Sequence, residues 1–270
     1  MRLPSSRCIC LSWAMALVTT ACSPASANDP LRLDRSFRTD SAPQVSVGNV
    51  SGLVAVRPGA GKGVTLSAQK VGGTPAEQDA HRIEIDQHGD RISVRTVCPG
   101  TFSRCGRVAV RYELTVPPDT HLDCRTVSAA IRVTGIQGAL RLHSVSGTIE
   151  TDGSLAAALR AKSVSGRLRI RGAHGPLKLS SVSGEIRVEL RRRAERVELR
   201  SVSGTAQLLL AGGVGARLQL STVSGAIDSA LPLVGERRRG RRRLEAVLGD
   251  GAMPVRARTV SGSLRIAALD

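Results

Sequence analysis

The stretch Ser144-Val145-Ser146-Gly147 is one copy of a tetrapeptide that recurs down the second half of this 270-residue chain. Successive copies are separated by steps of 18, 19, 18, 20, 21 and 37 residues. The seven copies end at Ala129, Gly147, Gly166, Gly184, Gly204, Gly225 and Gly262. A short unit repeated at nearly fixed spacing is typical of a solenoid, in which identical supersecondary units stack on one another.

Apolar residues stand at the same four places in every unit, which are seven and five positions before the final residue of the tetrapeptide and two and four positions after it. In one unit they are Leu159, Ala161, Leu168 and Ile170. Across all seven units, every residue in these columns is apolar except Thr151 and Ser229. Alternation with a period of two indicates short strands with one buried face. The sequence therefore predicts an all-β fold, a single-stranded β-solenoid with coils of about 18–21 residues.

The tetrapeptide is expected to form the corner between the two strands of each coil. Its Val is interpreted as facing the core together with the strand that follows, which requires a bend. The Gly would supply backbone freedom for that bend, and the Ser or Thr hydroxyls would satisfy corner amides or stack on their equivalents one coil away. A helical alternative is excluded because no 3.6-residue period persists and Val, Ile, Thr and Gly fill the units.

The domain organisation follows from where the repeat is regular. Residues 44–118 are predicted to form an N-terminal coil and β-hairpins that cap the open edge of the stack. Residues 119–270 hold the regular repeats, and the long last step predicts a basic hairpin insertion near residues 233–250. Edge-capping of this kind prevents association between exposed strands.

The first residues have the pattern of an export signal, with Arg2 and Arg7 flanking a short apolar run. Two processing sites are open: residues 1–27 as a signal peptide, or residues 1–21 as a lipoprotein signal with lipidation of Cys22. Residues 28–43 are predicted to be a flexible tether. In either case the protein is expected to be exported, to the periplasm or, lipid-anchored, to the outer membrane of a bacterium.

Export makes a disulfide plausible on chemical grounds, because exported proteins fold in an oxidising compartment. Cys98 and Cys105 stand at the two ends of a Pro- and Gly-containing loop between predicted strands, and we expect them to be joined. Metal binding by this pair is the alternative, although no second Cys or His pair stands at ligand spacing nearby. Cys124 occupies an apolar column and is expected to be a buried, unreactive thiol.

Positive charge is concentrated on one predicted face. The net charge is +17, and the outward columns of the first strand of each coil contain only Asp123 and Glu198 as acidic residues. The basic residues of those columns are Arg125, Arg141, Arg160, Lys162, Lys178, Arg200, Arg256 and Arg258. Two interpretations are open: a device for solubility that also prevents lateral pairing of the sheet, or a binding track for lipopolysaccharide, phospholipid headgroups or acidic glycans. Nucleic acid is not expected, since aromatic residues for base stacking are almost absent.

The sequence offers no candidate catalytic residue and no candidate metal or cofactor ligand. The five His residues are isolated, and the many Ser residues of the repeat have no neighbouring base in the sequence. The acidic residues Glu150, Glu185 and Asp228 lie in different units, mostly distant from one another. We therefore predict that the protein is not an enzyme.

The repeat resembles a known family. Units of the form Leu-x-Leu-x-Ser-Val-Ser-Gly-x-Ile-x-Val follow the passage from Tyr112 to Thr120 and a leader. This arrangement is similar to the bacterial family provisionally named adhesins, β-strand repeat domains of largely unassigned function, over residues 40–270. The resemblance implies a β-solenoid in the cell envelope and carries over no functional residue. We expect a non-enzymatic solenoid that presents a basic surface for adhesion or for binding anionic envelope polymers or lipids. The alternatives are a passive scaffold lipoprotein and, less favoured, a carbohydrate-active β-helix enzyme.

Overall fold

A computed structural model describes residues 32–40, 42–98, 107–153 and 158–269 of the chain. These residues fold into two large β-sheets that face each other, and the predicted all-β solenoid is confirmed. The buried aliphatic side chains form one continuous hydrophobic cluster between the two sheets. Residues 1–31, including Cys22, lie outside the described residues.

The N-terminal part contains seven described strands and a short helix. They are β1 (Arg32–Phe37), β2 (Gln44–Asn49), β3 (Gly52–Pro58), β4 (Val64–Val71), α1 (Pro75–Ala80), β5 (Arg82–His88), β6 (Arg91–Val97) and β7 (Ala109–Val116). Strand β1 pairs antiparallel with β4 along its whole length. The prediction of a flexible tether over residues 28–43 is therefore wrong for the residues of β1, because backbone hydrogen bonding fixes them to the sheet.

The regular coils contain two strands each. These are β8 (His121–Thr126), β9 (Ala130–Thr134), β10 (Leu140–Ser144), β11 (Ile149–Asp152), β12 (Leu159–Ser163), β13 (Leu168–Arg171), β14 (Leu177–Ser181), β15 (Ile186–Leu190), β16 (Val197–Ser201), β17 (Ala206–Leu210), β18 (Ala216–Thr222) and β19 (Ile227–Ser229). The remaining strands are β20 (Val234–Arg239), β21 (Arg243–Leu248), β22 (Met253–Thr259) and β23 (Leu264–Ala268).

Alternate strands of the coils belong to opposite sheets. One sheet has 11 strands in the order β1-β4-β7-β3-β9-β11-β13-β15-β17-β23-β19, and the other has 12 in the order β20-β21-β18-β22-β16-β14-β12-β10-β8-β2-β6-β5. Neighbouring coils pair parallel and in register, so that Leu140 lies opposite Leu159 and Ser144 opposite Ser163. Every residue of the four apolar columns is buried except Ser229, which is half-buried.

A side-chain cap holds each corner that ends in Gly, whereas at the first corner the Thr126 hydroxyl donates a hydrogen bond to the carbonyl oxygen of Ala129. The first residue of the tetrapeptide is buried, and its hydroxyl accepts a hydrogen bond from the amide of the Gly three residues later, as in Ser144 with Gly147 at 2.8 Å and Ser181 with Gly184 at 2.9 Å. The prediction that these hydroxyls satisfy corner amides is confirmed. A buried amide without such a partner would cost about 1–3 kcal/mol.

The corner glycines are required for space, and their φ angles lie outside the left-handed region. A Cβ on Gly184 would overlap the carbonyl oxygen of Gly166 in the preceding coil, and the other corner glycines meet the same obstacle. The interpretation that Gly supplies backbone freedom at this corner is wrong. The close approach of stacked backbones is the physical reason for the residue.

The Val of the tetrapeptide faces solvent, which contradicts the expectation that it joins the core. Val145, Val164, Val182 and Val202 are 44–46% exposed. The alternation of buried and exposed residues continues from the first strand through Ser144 and Val145, while the chain bends over residues 145–147. The change of parity therefore falls one residue later than the sequence pattern indicated.

Coil order departs from chain order at the C-terminal end. Strand β22 lies between β16 and β18, and β23 lies between β17 and β19. The reason is that β21 pairs antiparallel with the other edge of β18, after the antiparallel turn from β20. The returning chain can then enter the stack only on the inner side of β18.

Candidate functional site

The outward face of the 11-stranded sheet carries charges that neutralise one another. Arg132 contacts Glu150 at 3.4 Å, and Arg167 contacts Glu185 at 3.0 Å, each pair joining adjacent coils. Arg187 pairs with Glu189 at 2.6 Å within one strand. Acidic and basic residues are intermixed on the coils of this face, so their fields largely cancel.

The outward face of the 12-stranded sheet differs from the first face in its charge, since it contains all eight basic residues singled out from the sequence. They lie on β8, β10, β12, β14, β16 and β22, and each is exposed. We call this surface the basic face. One of its rows runs Arg141, Arg160, Lys178, Glu198 and Arg256 on successive strands.

The second row of the basic face runs parallel to the first. It begins with Arg125, His143, Lys162, Ser180 and Arg200 on successive strands. It continues through Arg258 and Ser221 to Arg243 of the hairpin. Neighbouring strands in a sheet are about 4.8 Å apart, so the cationic heads of such rows share one strip of solvent.

Most cations of the basic face have no acidic partner. Arg125 pairs with Asp123 at 3.1 Å and Lys178 approaches Glu198 at 4.0 Å. Among the described residues, no ion pair is formed by Arg141, Arg160, Lys162, Arg200, Arg256 or Arg258. Like charges at this spacing repel by about 1 kcal/mol per pair or less in water, and an anionic ligand would relieve that repulsion.

The basic face ends in an arginine-lined pocket of about 550 Å³ beside the hairpin. Its walls include Arg243, Arg256 and Arg258, with Ser221 between the strands that carry them and one carboxylate, that of Glu245. The guanidinium of Arg256 donates a hydrogen bond from Nε to Oε1 of Gln219 at 3.1 Å, which fixes its direction. Guanidinium groups grouped in this way suit phosphate and carboxylate ligands.

A trough of about 520 Å³ borders the second row of the basic face. One wall carries His143, Lys162, Ser180 and Arg200. The other wall is formed by Val145, Val164, Val182 and Val202. They belong to the line of tetrapeptide valines, which we call the valine stripe and which comprises, in spatial order, Val127, Val145, Val164, Val182, Val202, Val260 and Val223. The trough thus has a polar, largely cationic wall and an aliphatic wall.

His143 is the titratable group on the polar wall. Burial is the largest cause that lowers the pKa of His143; the Asp123 carboxylate opposes it, and the cations Lys162 and Arg125 lower it further. The imidazole is therefore neutral at neutral pH, and the positive charge of the trough comes from Lys162 and Arg200.

Of the six cysteines, Cys98 and Cys124 lie among the described residues. Cys124 is free and completely buried in the core column, and burial raises the pKa of its thiol far above the usual range. Cys105 lies outside the described residues, so the pairing of Cys98 with Cys105 stays a prediction. Lipidation of Cys22 also stays a prediction, since residues 1–31 are not described.

The described residues contain no group of three or more His, Cys, Asp and Glu side chains that could hold a metal ion. Within the same part of the chain, no helix is both long and apolar enough to cross a membrane. The pocket and the trough beside the basic face offer cations and hydroxyl groups, which suit the binding of anions.

Sequence reasoning missed two parts of this surface. The valine stripe was missed because the parity of the Val was assigned to the wrong side of the corner; its presence in all seven copies, beside two hydroxyl residues, was the available signal. Arg243 was assigned to the basic hairpin and not to the basic face, because its position beside Ser221 depends on the antiparallel pairing of β21 with β18. No short-range pattern encodes that pairing.

Comparison with known families identifies the repeat. The family model described as Toastrack DUF4097 matches residues 76–267. The chain belongs to this family. The resemblance drawn from the repeat units is thereby confirmed, and the two-sheet solenoid described above is the form that this Toastrack chain takes. No curated protein matches the sequence.

Three solved bacterial structures are similar to this Toastrack protein in fold. A protein from Clostridium sporogenes, provisionally named a cell adhesion protein, is 10% identical with a TM-score of 0.38, covering 88% of this chain and 99% of that one. A provisionally named adhesin from Bacteroides fragilis is 10% identical with a TM-score of 0.42, covering 87% and 96%. A provisionally named lipid binding protein from Parabacteroides distasonis is 15% identical with a TM-score of 0.44, covering 90% and 98%.

Proposed function

We propose that this protein is a non-enzymatic β-solenoid of the bacterial cell envelope whose basic face binds anionic polymers or lipids. The observation that carries the proposal is the contrast between the two outward faces. On the 11-stranded sheet, Arg132, Arg167, Arg169 and Arg171 are paired with acidic residues of neighbouring coils. On the 12-stranded sheet, six of the eight predicted cations have no ion pair within the described residues.

This contrast favours a binding surface over a general solubility device. A device for solubility needs net charge only, and it would serve equally well with cations spread over both sheets. Here the unpaired cations form two straight rows on one sheet, with a repeat of about 4.8 Å set by the strand spacing. Such rows present a repeated set of charges to a repetitive anionic surface.

Binding through many weak contacts fits this geometry. Each cation close to an anionic lipid surface contributes about 1 kcal/mol, and several act together on one rigid sheet. A lipid anchor at Cys22 would raise the local concentration of the surface further, since tethering turns the encounter into an intramolecular step. Export to the periplasm or outer membrane is part of the same proposal.

Sedimentation with vesicles tests the proposal. The protein is mixed with vesicles of phosphatidylcholine alone and of phosphatidylcholine with phosphatidylglycerol, at low and at physiological salt, with lipopolysaccharide and an acidic glycan as parallel probes. We expect binding to the anionic surfaces, weakened by salt. Equal binding to neutral and anionic vesicles, or no binding to any of the probes, would contradict the proposal and leave the passive scaffold as the better account.

A further inference from the structure

The valine stripe is the main exposed aliphatic feature of the described chain. Eight large hydrophobic residues are exposed among the described residues, and all of them except Val71 and Val234 belong to the stripe. Because parallel coils stack in register, the exposed members lie on one line along the solenoid. A continuous aliphatic line on the surface is typical of an interaction site, whereas scattered single residues are ordinary.

The stripe contributes little to folding. The side chains of Val145, Val164, Val182 and Val202 are nearly half exposed, while the buried columns on either side already fill the space between the sheets. The capping hydroxyls occupy the neighbouring buried position of each corner. A polar residue in place of the Val would therefore leave both the core and the corner cap intact.

Charge complementarity indicates what covers this surface. Lys162 and Arg200 form the other wall of the trough, and neither has an ion-pair partner among the described residues. A second copy of the chain is a poor occupant, since it would bring two strongly cationic rows together. A glycan is also poorly matched, because the trough walls contain no aromatic ring. A lipid surface supplies phosphates for the cations and hydrocarbon for the valines.

We propose that the valine stripe is a membrane-docking edge, with which the solenoid lies lengthwise on an anionic lipid bilayer. The valines enter the boundary between headgroups and acyl chains, and the second row of the basic face contacts lipid phosphates beside them. This inference rests on the proposed function, since it specifies lipid as the anionic partner and fixes the orientation of the protein. It divides the binding into a salt-sensitive part from the cations and a salt-resistant part from the valines.

A tryptophan placed on the stripe tests the docking directly. The chain contains one Trp, at position 13, and a Trp13→Phe background leaves an introduced Trp as the sole reporter. Val182→Trp probes the stripe and Val71→Trp is the matched control, because both valines are 46% exposed and Val71 lies at the end of β4. With phosphatidylglycerol-containing vesicles we expect a blue shift and quenching by brominated acyl chains at position 182, and neither at position 71.

A triple variant separates docking from electrostatic binding. Val164→Ser, Val182→Ser and Val202→Ser together should weaken binding to these vesicles at physiological salt about tenfold, while Val71→Ser should bind like the parent. Equal binding by parent and triple variant, or equal quenching at the two Trp positions, would overturn the docking edge. If the docking edge were overturned but the binding of the parent to anionic vesicles still fell with salt, the proposed function would stand without the docking edge. If the parent bound no anionic vesicle, both proposals would fail.

Discussion

Gly184→Ala is expected to destabilise the protein severely, because the added methyl group would occupy the position of a neighbouring backbone atom. The Cβ would overlap the carbonyl oxygen of Gly166, and ordinary van der Waals contact begins only at 3.4 Å, so the two coils would have to separate by more than 1 Å at this corner. That separation would stretch the hydrogen bond from the Ser183 amide to the Val164 carbonyl, now 2.8 Å.

The cost follows from these contacts. Overpacking against atoms that cannot move costs about 1–3 kcal/mol, and one or two weakened hydrogen bonds add about 1 kcal/mol each. A loss of about 3–4 kcal/mol lowers the melting temperature of a protein of this size by roughly 10 °C. Thermal unfolding followed by far-UV circular dichroism measures the shift.

Gly212→Ala is the matched control for the same chemical change. No atom lies within 4 Å of the position its Cβ would take, the residue is exposed, and its φ lies outside the left-handed region. Alanine there reduces the freedom of the unfolded chain and should leave the melting temperature unchanged or slightly higher, by about 0.4–1 kcal/mol of stability. Equal melting temperatures for the two variants would refute the account of the corner.

Three further predictions concern a buried hydroxyl, the pairing of the cysteines and the N-terminal anchor. Thr151→Val should stabilise the protein by about 1 kcal/mol or more, because the Thr151 hydroxyl is buried without a hydrogen-bond partner among the described residues; a lower melting temperature for the variant would show that the hydroxyl is satisfied. Mass spectrometry of the non-reduced protein should find Cys98 joined to Cys105, with Cys124 protected from alkylation until unfolding, and a bridge to Cys124 would contradict the placement of β8. Cys22→Ser should release the protein from the membrane fraction or leave its precursor unprocessed, and a wild-type protein that begins at Asn28 without lipid would exclude the anchor.

The sequence predicts the buried side of this fold well, because the pattern that determines it extends over only a few neighbouring residues. Leu140, Leu142 and Ile149 alternate with polar residues over a few positions, and period-two alternation alone determines which face of a short strand is buried. The basic face was predictable for the same reason, since Arg141 and Arg160 occupy equivalent outward positions of adjacent coils.

Features that depend on distant pairing were not predictable. The insertion of β22 between β16 and β18 follows from the antiparallel docking of β21, which a linear repeat pattern does not contain. The exposure of Val145 depends on the geometry of the corner, in which the Ser144 hydroxyl caps Gly147 across a turn over residues 145–147. Strand β1 was missed because residues 32–37 have no alternating apolar pattern and pair only at the edge of the sheet.

The central claim is that binding resides on one outward face, and the vesicle affinity of two matched triple variants tests it most directly. Both variants lose three positive charges through Arg→Gln changes. The first variant changes Arg141, Arg160 and Arg200 of the basic face. The second changes Arg132, Arg167 and Arg265 of the opposite sheet. With phosphatidylglycerol-containing vesicles at low salt, the first variant should bind roughly 100-fold more weakly than the parent, from about 1 kcal/mol per cation near the surface. The second should lose far less, although its net charge is the same. Equal losses of affinity in the two variants would contradict a face-specific binding surface and show that net charge alone accounts for the attraction.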